Sequence, residues 1–380
     1  MKILYCVGSL DKPGGTEKVL SNKCNYFVNE FGYEIHIITV NQLDKPYCYQ
    51  WDEKIHFHDV KYISDSNKLK SILNIPNKIS VFKNIYRDLI EKIKPDVIIV
   101  PERGYLDYVI PFICKEIPKI REFHSSKKAI KIHASQMPFF KRIKHQIMYS
   151  VIYNFFNKYD YLILLTSSDA ADSKYKTKVR VIPNMIEGSE QGFSPLIKCN
   201  AISVGSMNGK IKGFDEQINI WRQIVDKHPN WILNIYGNGG RKAILQNLIV
   251  ELGLEDNVLL HGNSSALPEK FTDSSIFLFT SVGEGFPMVL IEAMSSGLPC
   301  ISFNCPHGPS EIITDGQDGY LIDPGDSNTF VEKVTLLIEN QQLRQTFGKN
   351  AKKNIERLHP ANVALKWQSL FQEIIQTHEN

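Results

Sequence analysis

Short apolar runs alternate with amphipathic stretches along the whole chain, a pattern typical of buried parallel strands joined by helices. In the first half the predicted strands are 2–7, 34–40, 55–60, 96–100, 118–123, 161–165 and 179–182. The alternation restarts in the second half, where the predicted strands are 201–204, 231–236, 258–260, 275–280 and 299–303. Helices are predicted at 16–31, 79–93, 167–175, 329–339 and 343–357. The pattern therefore predicts an α/β fold with two doubly wound, Rossmann-like domains.

The chain has 380 residues, which is longer than a single hydrophobic core usually supports and also favours two domains. We place the first domain at 1–186 and the second at 187–361, because a stretch containing Gly, Ser and Pro runs from 187 to 198 and is typical of a linker. A last amphipathic helix, at about 362–380, carries its apolar side chains on one face and is expected to pack.

Composition narrows the function classes. The content of 43% hydrophobic and 22% charged residues is ordinary for a globular protein, and no run is apolar and long enough to span a bilayer. The N-terminus enters a strand at once, without a signal-peptide pattern, and the seven cysteines show no regular spacing, so we expect a cytoplasmic protein. Because Cys-x-x-Cys, zinc-type histidine spacing and Asp-x-Asp do not occur, we expect no metal and no cofactor.

Charge is unevenly distributed. Residues 1–184 carry a net +10 and the remainder −7, which together give the overall +3. Most of the excess lies in 119–145, where eight cations and one acid are interleaved with large apolar residues. This mixture predicts either docking onto an anionic membrane surface or a solvated face that covers the core, and the sequence leaves both open. Nucleic acid is disfavoured, because no recognition module accompanies the basic segment.

The stretch 275–313 holds the most candidate chemistry. A predicted strand runs into Ser-Val-Gly-Glu-Gly, and a helix with Pro287 in its first turn follows and stops at Gly297. A helix N-terminus at the carboxyl end of a strand offers free amides and partial positive charge, which suits a phosphate. Glu284 precedes this helix, and Glu292 lies inside it, eight positions later. Carboxylates fit badly beside phosphate but accept hydrogen bonds well, so these two are expected to hold sugar hydroxyls. An isolated pair with this spacing is more often an ordinary turn acid and a solvated helix residue.

The run E-G-F-P-M-V-L-I-E-A-M-S-S-G-L-P, followed by G-P-S-E-I-I, resembles the donor-binding signature of glycosyltransferase family 4 (GT4). Members of that family are retaining, nucleotide-sugar-dependent enzymes of GT-B fold, and weaker similarities run from Gly14 to the C-terminus. The resemblance implies that Glu284 contacts the donor hexose and Glu292 holds the ribose, and that the last helix crosses back to the first domain. It also implies that the sugar and diphosphate are lined by the backbone of Gly285, Phe286, Pro287 and Met288.

The resemblance assigns two cations to the donor diphosphate. Relatives usually carry an arginine where this chain has Ser206, whereas Lys212 matches their lysine and would stabilise negative charge on the leaving phosphate. Lys210 either compensates for the missing arginine or lies in solvent. We expect Lys212 to be catalytic, together with Glu284 and His124.

Further contacts are implied in loops that follow predicted strands. Gly14 and Gly15 would let the backbone approach the donor phosphate and the acceptor, and the G-x-G-x-x-G pattern of an NAD site is absent. Gly237 and His261 would lie near the nucleotide.

The first half offers fewer candidates. His124 ends a predicted strand, and the resemblance places it near the reacting sugar, although a lone histidine there is more often a structural hydrogen-bonder. Glu102 and Arg103, after the strand at 96–100, are candidate acceptor contacts.

These residues predict transfer of a hexose or N-acetylhexosamine from a UDP- or GDP-sugar to a hydroxyl of a glycan acceptor, with retention as in relatives. The basic segment favours a polyprenyl-diphosphate-linked acceptor in bacterial surface polysaccharide assembly, with the enzyme peripheral on the inner face of the plasma membrane. No side chain stands out as a nucleophile, so attack by the acceptor from the leaving-group side is favoured. The alternatives are a nucleotide-sugar 2-epimerase of similar fold and a non-catalytic nucleotide-binding subunit, the latter favoured only by Ser206.

Overall fold

The computed structural model describes residues 1–61, 75–101, 105–186 and 192–379. It divides into two units. The first consists of Met1–His124, Phe139–Glu187 and Pro360–Asn380, and the second of Ser125–Pro138 and Gly188–His359. The segment Ser125–Pro138 therefore groups with the second unit, although it precedes the linker in sequence. The final helix belongs to the first unit.

Each unit is built on one parallel sheet. In the described residues the first sheet has the order β3-β2-β1-β4-β5-β6-β7 and the second the order β10-β9-β8-β11-β12-β13. The strands of the first sheet are β1 Lys2–Val7, β2 Glu34–Thr39, β3 His56–Asp59, β4 Val97–Val100, β5 Lys119–Phe123, β6 Tyr161–Leu164 and β7 Lys178–Val181. Those of the second are β8 Asn200–Val204, β9 Ile232–Tyr236, β10 Val258–Leu260, β11 Ile276–Phe279, β12 Cys300–Phe303 and β13 Gly319–Ile322. The doubly wound α/β fold predicted from the sequence is confirmed.

Helices connect the strands. Those of the first unit and the segment inserted in it are α1 Gly15–Phe31, α2 Ile75–Ile93, α3 Lys127–Ser135, α4 Phe139–Phe156 and α5 Ser167–Ala171. Those of the remaining chain are α6 Phe214–Val225, α7 Lys242–Glu251, α8 Leu267–Thr272, α9 Met288–Ser295, α10 Pro309–Ile312, α11 Ser327–Glu339, α12 Gln341–Ile355 and α13 Pro360–Glu379. Polar side chains fix several starts, because the oxygen of Ser126, Thr166, Asp326 or Asn340 accepts a hydrogen bond from a first-turn amide.

The first sheet is buried on both faces, as its two-sided apolar strands predict. On one face Phe27 of α1 packs against Trp367 and Phe371 of α13, with ring centroids 6.3 and 5.9 Å apart. These rings are fully or almost fully buried, so they contribute a large share of the apolar area that stabilises this unit. On the other face Tyr86 and Ile90 of α2 cover the sheet.

The second sheet is covered in the same way. Trp221 of α6 is fully buried against the sheet, and Phe330 of α11 stacks edge-on to Phe303 of β12 at 5.1 Å. This core fixes the positions of β8 and β11 in the sheet. The loops that follow these two strands form the candidate site.

Some of the predicted helices differ from the structure. The helix expected at 167–175 ends at Ala171, and α9 begins at Met288, so Pro287 is its N-cap residue rather than part of its first turn. The sequence analysis assigned no helix to 139–156, because its apolar and polar residues do not separate into a clear stripe. The structure has 18 helical residues there.

Candidate active site

The candidate site of the second unit lies where β8 and β11 end side by side. These strands are parallel neighbours, while the chain runs from β8 first to β9 on the opposite side. The strand order therefore reverses between β8 and β11, which is the point at which open α/β sheets bind ligands outside their carboxyl ends. The loops 205–213 and 280–287 follow these two strands and supply the candidate residues.

The two loops are joined by an ion pair between two of the side chains predicted to be catalytic, Lys212 and Glu284. Lys212 Nζ donates to Glu284 Oε1 at 2.7 Å, and Ser281 Oγ donates to the same oxygen at 2.6 Å. The side chains of Lys212 and Glu284 are 25% and 15% exposed, so both groups are shielded but reachable. Lys212 Nζ also lies 5.5 Å from the ring centroid of Phe279. A cation and a carboxylate are thus held together at a helix mouth.

Backbone contacts hold the Glu284 loop in place. Ser126 Oγ donates to the carbonyl of Glu284 at 3.0 Å, and a Cβ added at Gly283 would lie 3.3 Å from Cα of Ala129. Helix α3 therefore packs directly on this loop. A side chain at Gly283 would require Ala129 or the loop to shift by a few tenths of an ångström.

The mouth of α9 provides amide donors. Pro287 is the N-cap and makes no side-chain capping bond. Among the described residues, the amides of Gly285, Phe286 and Met288 donate no hydrogen bond, so they are available to an anion, together with the positive end of the helix dipole. Glu292 lies one turn further along α9 and is partly exposed.

Two glycines are required by the close approach of these loops. Gly237 has φ of 142°, and an added Cβ would lie 1.9 Å from the carbonyl oxygen of Gly205. Gly213 has φ of 67°, and its Cβ would lie 2.1 Å from the carbonyl oxygen of Thr280. Neither position tolerates a side chain without displacing backbone. The sequence analysis placed Gly237 near the nucleotide, and the structure places it against the start of the lysine loop.

The polar and charged side chains around the loop 205–213 differ in their exposure and in their hydrogen bonds. Ser206 and Lys210 are exposed, and Ser206 Oγ accepts from the amide of Asn208 at 3.3 Å. Arg241, which the sequence analysis missed, donates to both carboxylate oxygens of Asp215 at 2.7 and 2.6 Å. This bidentate bond lowers the pKa of Asp215 and fixes the end of the loop after β9 to the first turn of α6. The pairing across 26 residues has no local sequence signal.

His261 follows β10 and is held in one orientation. Its Nε2 lies 2.9 Å from Asn234 Oδ1, and its ring stacks on Tyr236 at a centroid distance of 4.4 Å. Burial, followed by Lys270 and Lys242, lowers the pKa of His261, so the imidazole is neutral at neutral pH. A flat neutral ring at a strand end suits stacking or hydrogen bonding to a base.

The first unit contains a separate cluster at the end of β5. His124 Nε2 lies 3.1 Å from Glu122 Oε2, and Lys23 Nζ donates to both oxygens of Glu122 at 2.5 and 2.6 Å. His124 Nδ1 is buried and has no hydrogen-bond partner among the described residues. Because Glu122 fixes the ring through Nε2, Nδ1 is the atom that remains for a ligand. Glu122 is a positioning residue that the sequence analysis did not single out.

Replacing Glu122 by glutamine is expected to destabilise the protein at neutral pH. Burial raises the pKa of Glu122, but Lys23 and His124 outweigh it and hold the pKa at about 2, against 4.5 for a free side chain. Because the folded pKa is depressed, the stabilisation is complete above about pH 4.5 and is lost as the pH falls towards 2. The shift corresponds to a loss on the order of 3 kcal/mol in the variant.

Thermal unfolding checks this prediction. The melting temperature of Glu122→Gln should lie several degrees below that of the wild type at pH 7, and the difference should narrow as the pH falls below 4.5. The exposed Glu53→Gln is the matched control and should melt like the wild type. A difference that does not depend on pH would show that Glu122 does not stabilise the fold through its charge.

The remaining candidates of the first unit lie at the ends of β1 and β4. Gly14 is the N-cap of α1 and Gly15 its first residue, and neither has a positive φ. A Cβ at Gly15 would meet nothing within 4 Å, so space for a ligand, rather than backbone strain, is what a glycine provides there. Glu102 and Arg103 lie outside the described residues.

The sequence and the fold were compared with known proteins. Residues 194–354 match the family of group 1 glycosyl transferases. The amylovoran biosynthesis glycosyltransferase AmsD of Erwinia amylovora is 27% identical, and the match covers 97% of this chain and 99% of AmsD. An exopolysaccharide phosphotransferase of Streptomyces coelicolor is 30% identical over 58% of this chain, but the match spans 24% of that protein's length. A crystal structure of TarM from S. aureus, in complex with fondaparinux, α-GlcNAc-glycerol and UDP, superposes with a TM-score of 0.76 over 97% of this chain and 99% of TarM, at 18% identity.

Residues 194–354 belong to the family of group 1 glycosyl transferases, and the chain is a glycosyltransferase of GT-B fold. The part of the glycosyltransferase that matches the family contains Lys212, Glu284 and Glu292, whereas Gly14 and His124 precede it. Among the described residues of this glycosyltransferase, no helix combines the length and apolar character needed to cross a membrane.

Proposed function

We propose that this glycosyltransferase moves a hexose or N-acetylhexosamine from a UDP- or GDP-sugar to a hydroxyl of a glycan acceptor in bacterial surface polysaccharide or glycoconjugate assembly. The observation that carries the proposal is the Lys212–Glu284 ion pair beside the unpaired amides of the α9 mouth. Fixed donors of this kind stabilise negative charge that develops on a leaving diphosphate. The role of AmsD as a glycosyltransferase of amylovoran biosynthesis and the complex of TarM with UDP support the same class of reaction.

In this proposal the candidate residues of the second unit bind different parts of the donor. The amides of Gly285, Phe286 and Met288 and the ammonium of Lys212 receive the diphosphate, and Glu284 accepts a hydrogen bond from a sugar hydroxyl. Once the donor is bound, the ammonium of Lys212 contacts both the phosphate and Glu284. Glu292 accepts from the ribose hydroxyls, and His261 lies by the base.

The stereochemical outcome proposed is retention, through attack by the acceptor hydroxyl from the leaving-group side. A protein nucleophile is not required by this route. The buried thiol of Cys305 cannot serve as a nucleophile. Burial and the nearby charge of Glu284 raise the pKa of that thiol to about 12. The diphosphate needs no metal in this scheme, since helix dipole, amides and Lys212 neutralise it.

We further propose that the acceptor is lipid-linked and that α4 rests on an anionic membrane surface. The helix contains Lys141, Arg142 and Lys144 and no acidic residue. It exposes large apolar side chains on the same segment: Phe140 is 85% exposed and Ile147 is 62% exposed. Cations beside exposed apolar groups complement both the headgroups and the acyl boundary of such a membrane.

Two other activities remain to be distinguished. A nucleotide-sugar 2-epimerase would consume the donor without an acceptor, and a non-catalytic subunit would bind nucleotide without turnover. Ser206, in place of the usual arginine, is the feature that favours the second, but the assembled pair of Lys212 and Glu284 speaks against it.

A panel of nucleotide sugars tests the proposal. A donor that binds only the folded state raises the melting temperature, so one UDP- or GDP-sugar should stabilise the protein and release nucleotide when a polyprenyl-linked glycan is added. Conversion of the donor without acceptor would identify an epimerase. Stabilisation without turnover under either condition would identify a binding subunit.

Glu292→Ala is expected to weaken UDP binding about tenfold, because a carboxylate that accepts from ribose hydroxyls contributes a charge-assisted hydrogen bond worth about 1.5 kcal/mol. Titration calorimetry measures the change, with the exposed Glu255→Ala as the matched control. Equal affinity in the wild type and in Glu292→Ala would remove Glu292 from the ribose.

A further inference from the structure

A cluster of metal-ligand side chains lies on one face of the outer strands of the first sheet, away from the strand ends that form the candidate site. Glu34 and His36 are two positions apart on β2, and His56 and His58 are two positions apart on the edge strand β3. The parallel register pairs His36 with His56, so all four side chains project from the same face. Nothing in the proposed glycosyl transfer uses them.

The contacts within this Glu34–His58 cluster already resemble a ligand set. His36 Nε2 lies 2.9 Å from Glu34 Oε1, and His36 Nδ1 lies 2.9 Å from His58 Nε2. The rings of His36 and His56 stack at a centroid distance of 4.7 Å. One ligand atom from each of Glu34, His36 and His56 falls within a mutual distance of 4.8 Å.

We propose that Glu34, His36 and His56 bind a divalent metal ion of the Zn²⁺ class, with His58 orienting His36. Two imidazoles and one carboxylate form a ligand set that zinc takes in proteins, with the remaining positions open to water. In this arrangement the metal replaces the proton between His36 Nε2 and Glu34 Oε1. His36 Nδ1–H then donates to His58 Nε2, as the second ring nitrogen of a metal-bound histidine usually does.

The geometry needs only a small adjustment. Ligand atoms about 2.1 Å from a tetrahedral ion lie about 3.4 Å apart, so separations of up to 4.8 Å must close by about 1.4 Å at most. Glu34 and His56 are exposed and free to make that movement, while the buried His36 stays fixed. Their exposure also gives the ion a route from solvent.

Two features of the surroundings bear on this assignment. Lys2 of β1 lies 3.1 Å from Glu34 Oε1 and competes with the metal for that carboxylate. Because β3 is the edge strand, an ion shared by β2 and β3 would also pin that edge.

The test is a competition titration of Zn²⁺ against a chromophoric chelator, with the intact protein in its reduced state. The wild type should bind one equivalent that both His56→Ala and Glu34→Gln weaken by about tenfold or more, and that His58→Ala weakens by about tenfold. Lys2→Ala should bind more tightly. The exposed His133→Ala is the control for loss of a histidine elsewhere.

A second measurement does not depend on the chelator. Zn²⁺ should raise the melting temperature of the wild type and of His133→Ala but not that of His56→Ala, whose altered side chain is exposed and leaves the fold intact. Equal zinc affinity in the wild type, His56→Ala and Glu34→Gln would overturn the proposal. An equal thermal shift in all variants would do the same, since it would place the ion elsewhere, for example on cysteines.

Discussion

Lys212→Ala is expected to lower kcat by about 10²–10³-fold and to change the Kd for UDP by less than about tenfold. The magnitude is that of losing one preorganised donor to a developing anion in a site shielded from water. The proposed roles give the reason for the asymmetry. The amides at the mouth of α9 would still bind the ground-state diphosphate, whereas the ammonium of Lys212 would stabilise the extra charge of the transition state. Single-turnover kinetics and nucleotide titration measure the two quantities separately.

Two companion variants make this result interpretable. Lys227→Ala, an exposed lysine after α6, should behave as the wild type. Glu284→Gln removes the partner of Lys212, and the double variant should lose less than the product of the single losses, because the pair acts as a unit. An unchanged kcat in Lys212→Ala would exclude the catalytic role.

Neutralising Lys141, Arg142 and Lys144 together is expected to weaken binding to phosphatidylglycerol vesicles by about 100-fold. Each cation near an anionic surface contributes about 1 kcal/mol, and three together correspond to about two orders of magnitude in the partition coefficient. Salt should reproduce part of the effect in the wild type, because it screens the same charges. Vesicle sedimentation measures the bound fraction.

The control is a triple variant of exposed lysines elsewhere, at Lys227, Lys349 and Lys366, which makes the same change in net charge. It should retain most of the vesicle binding. Phe140→Ala should weaken binding without altering its salt dependence, since it removes apolar area only. If the two triple variants bind equally well, α4 is a solvated surface, which is the alternative that the sequence left open.

Much of the second unit could be predicted from the sequence because its signals are local. The apolar strand before Ser281, the glycines around Glu284 and the breaker after Gly297 fix the strand, loop and helix within about 25 residues. The candidate pair of Lys212 and Glu284 was inferred from two separate stretches, and the structure brings them to 2.7 Å.

Contacts between distant segments could not be predicted in this way. Lys23 and Glu122 are 99 positions apart, and each alone is an unremarkable charged residue in a helix or strand. The two-residue spacing of Glu34 and His36, and of His56 and His58, is visible in the sequence. The order of the strands in the sheet, which is not visible there, decides whether these side chains come together. A long-range ion pair or ligand set therefore appears only once the topology is known.

A crystal structure with a non-hydrolysable UDP-sugar would show where the donor diphosphate binds. We expect diphosphate oxygens within about 3 Å of Lys212 Nζ and of the amides of Phe286 and Met288, and ribose hydroxyls at Glu292. A donor whose diphosphate lies away from the mouth of α9, with the Lys212–Glu284 pair undisturbed, would contradict it.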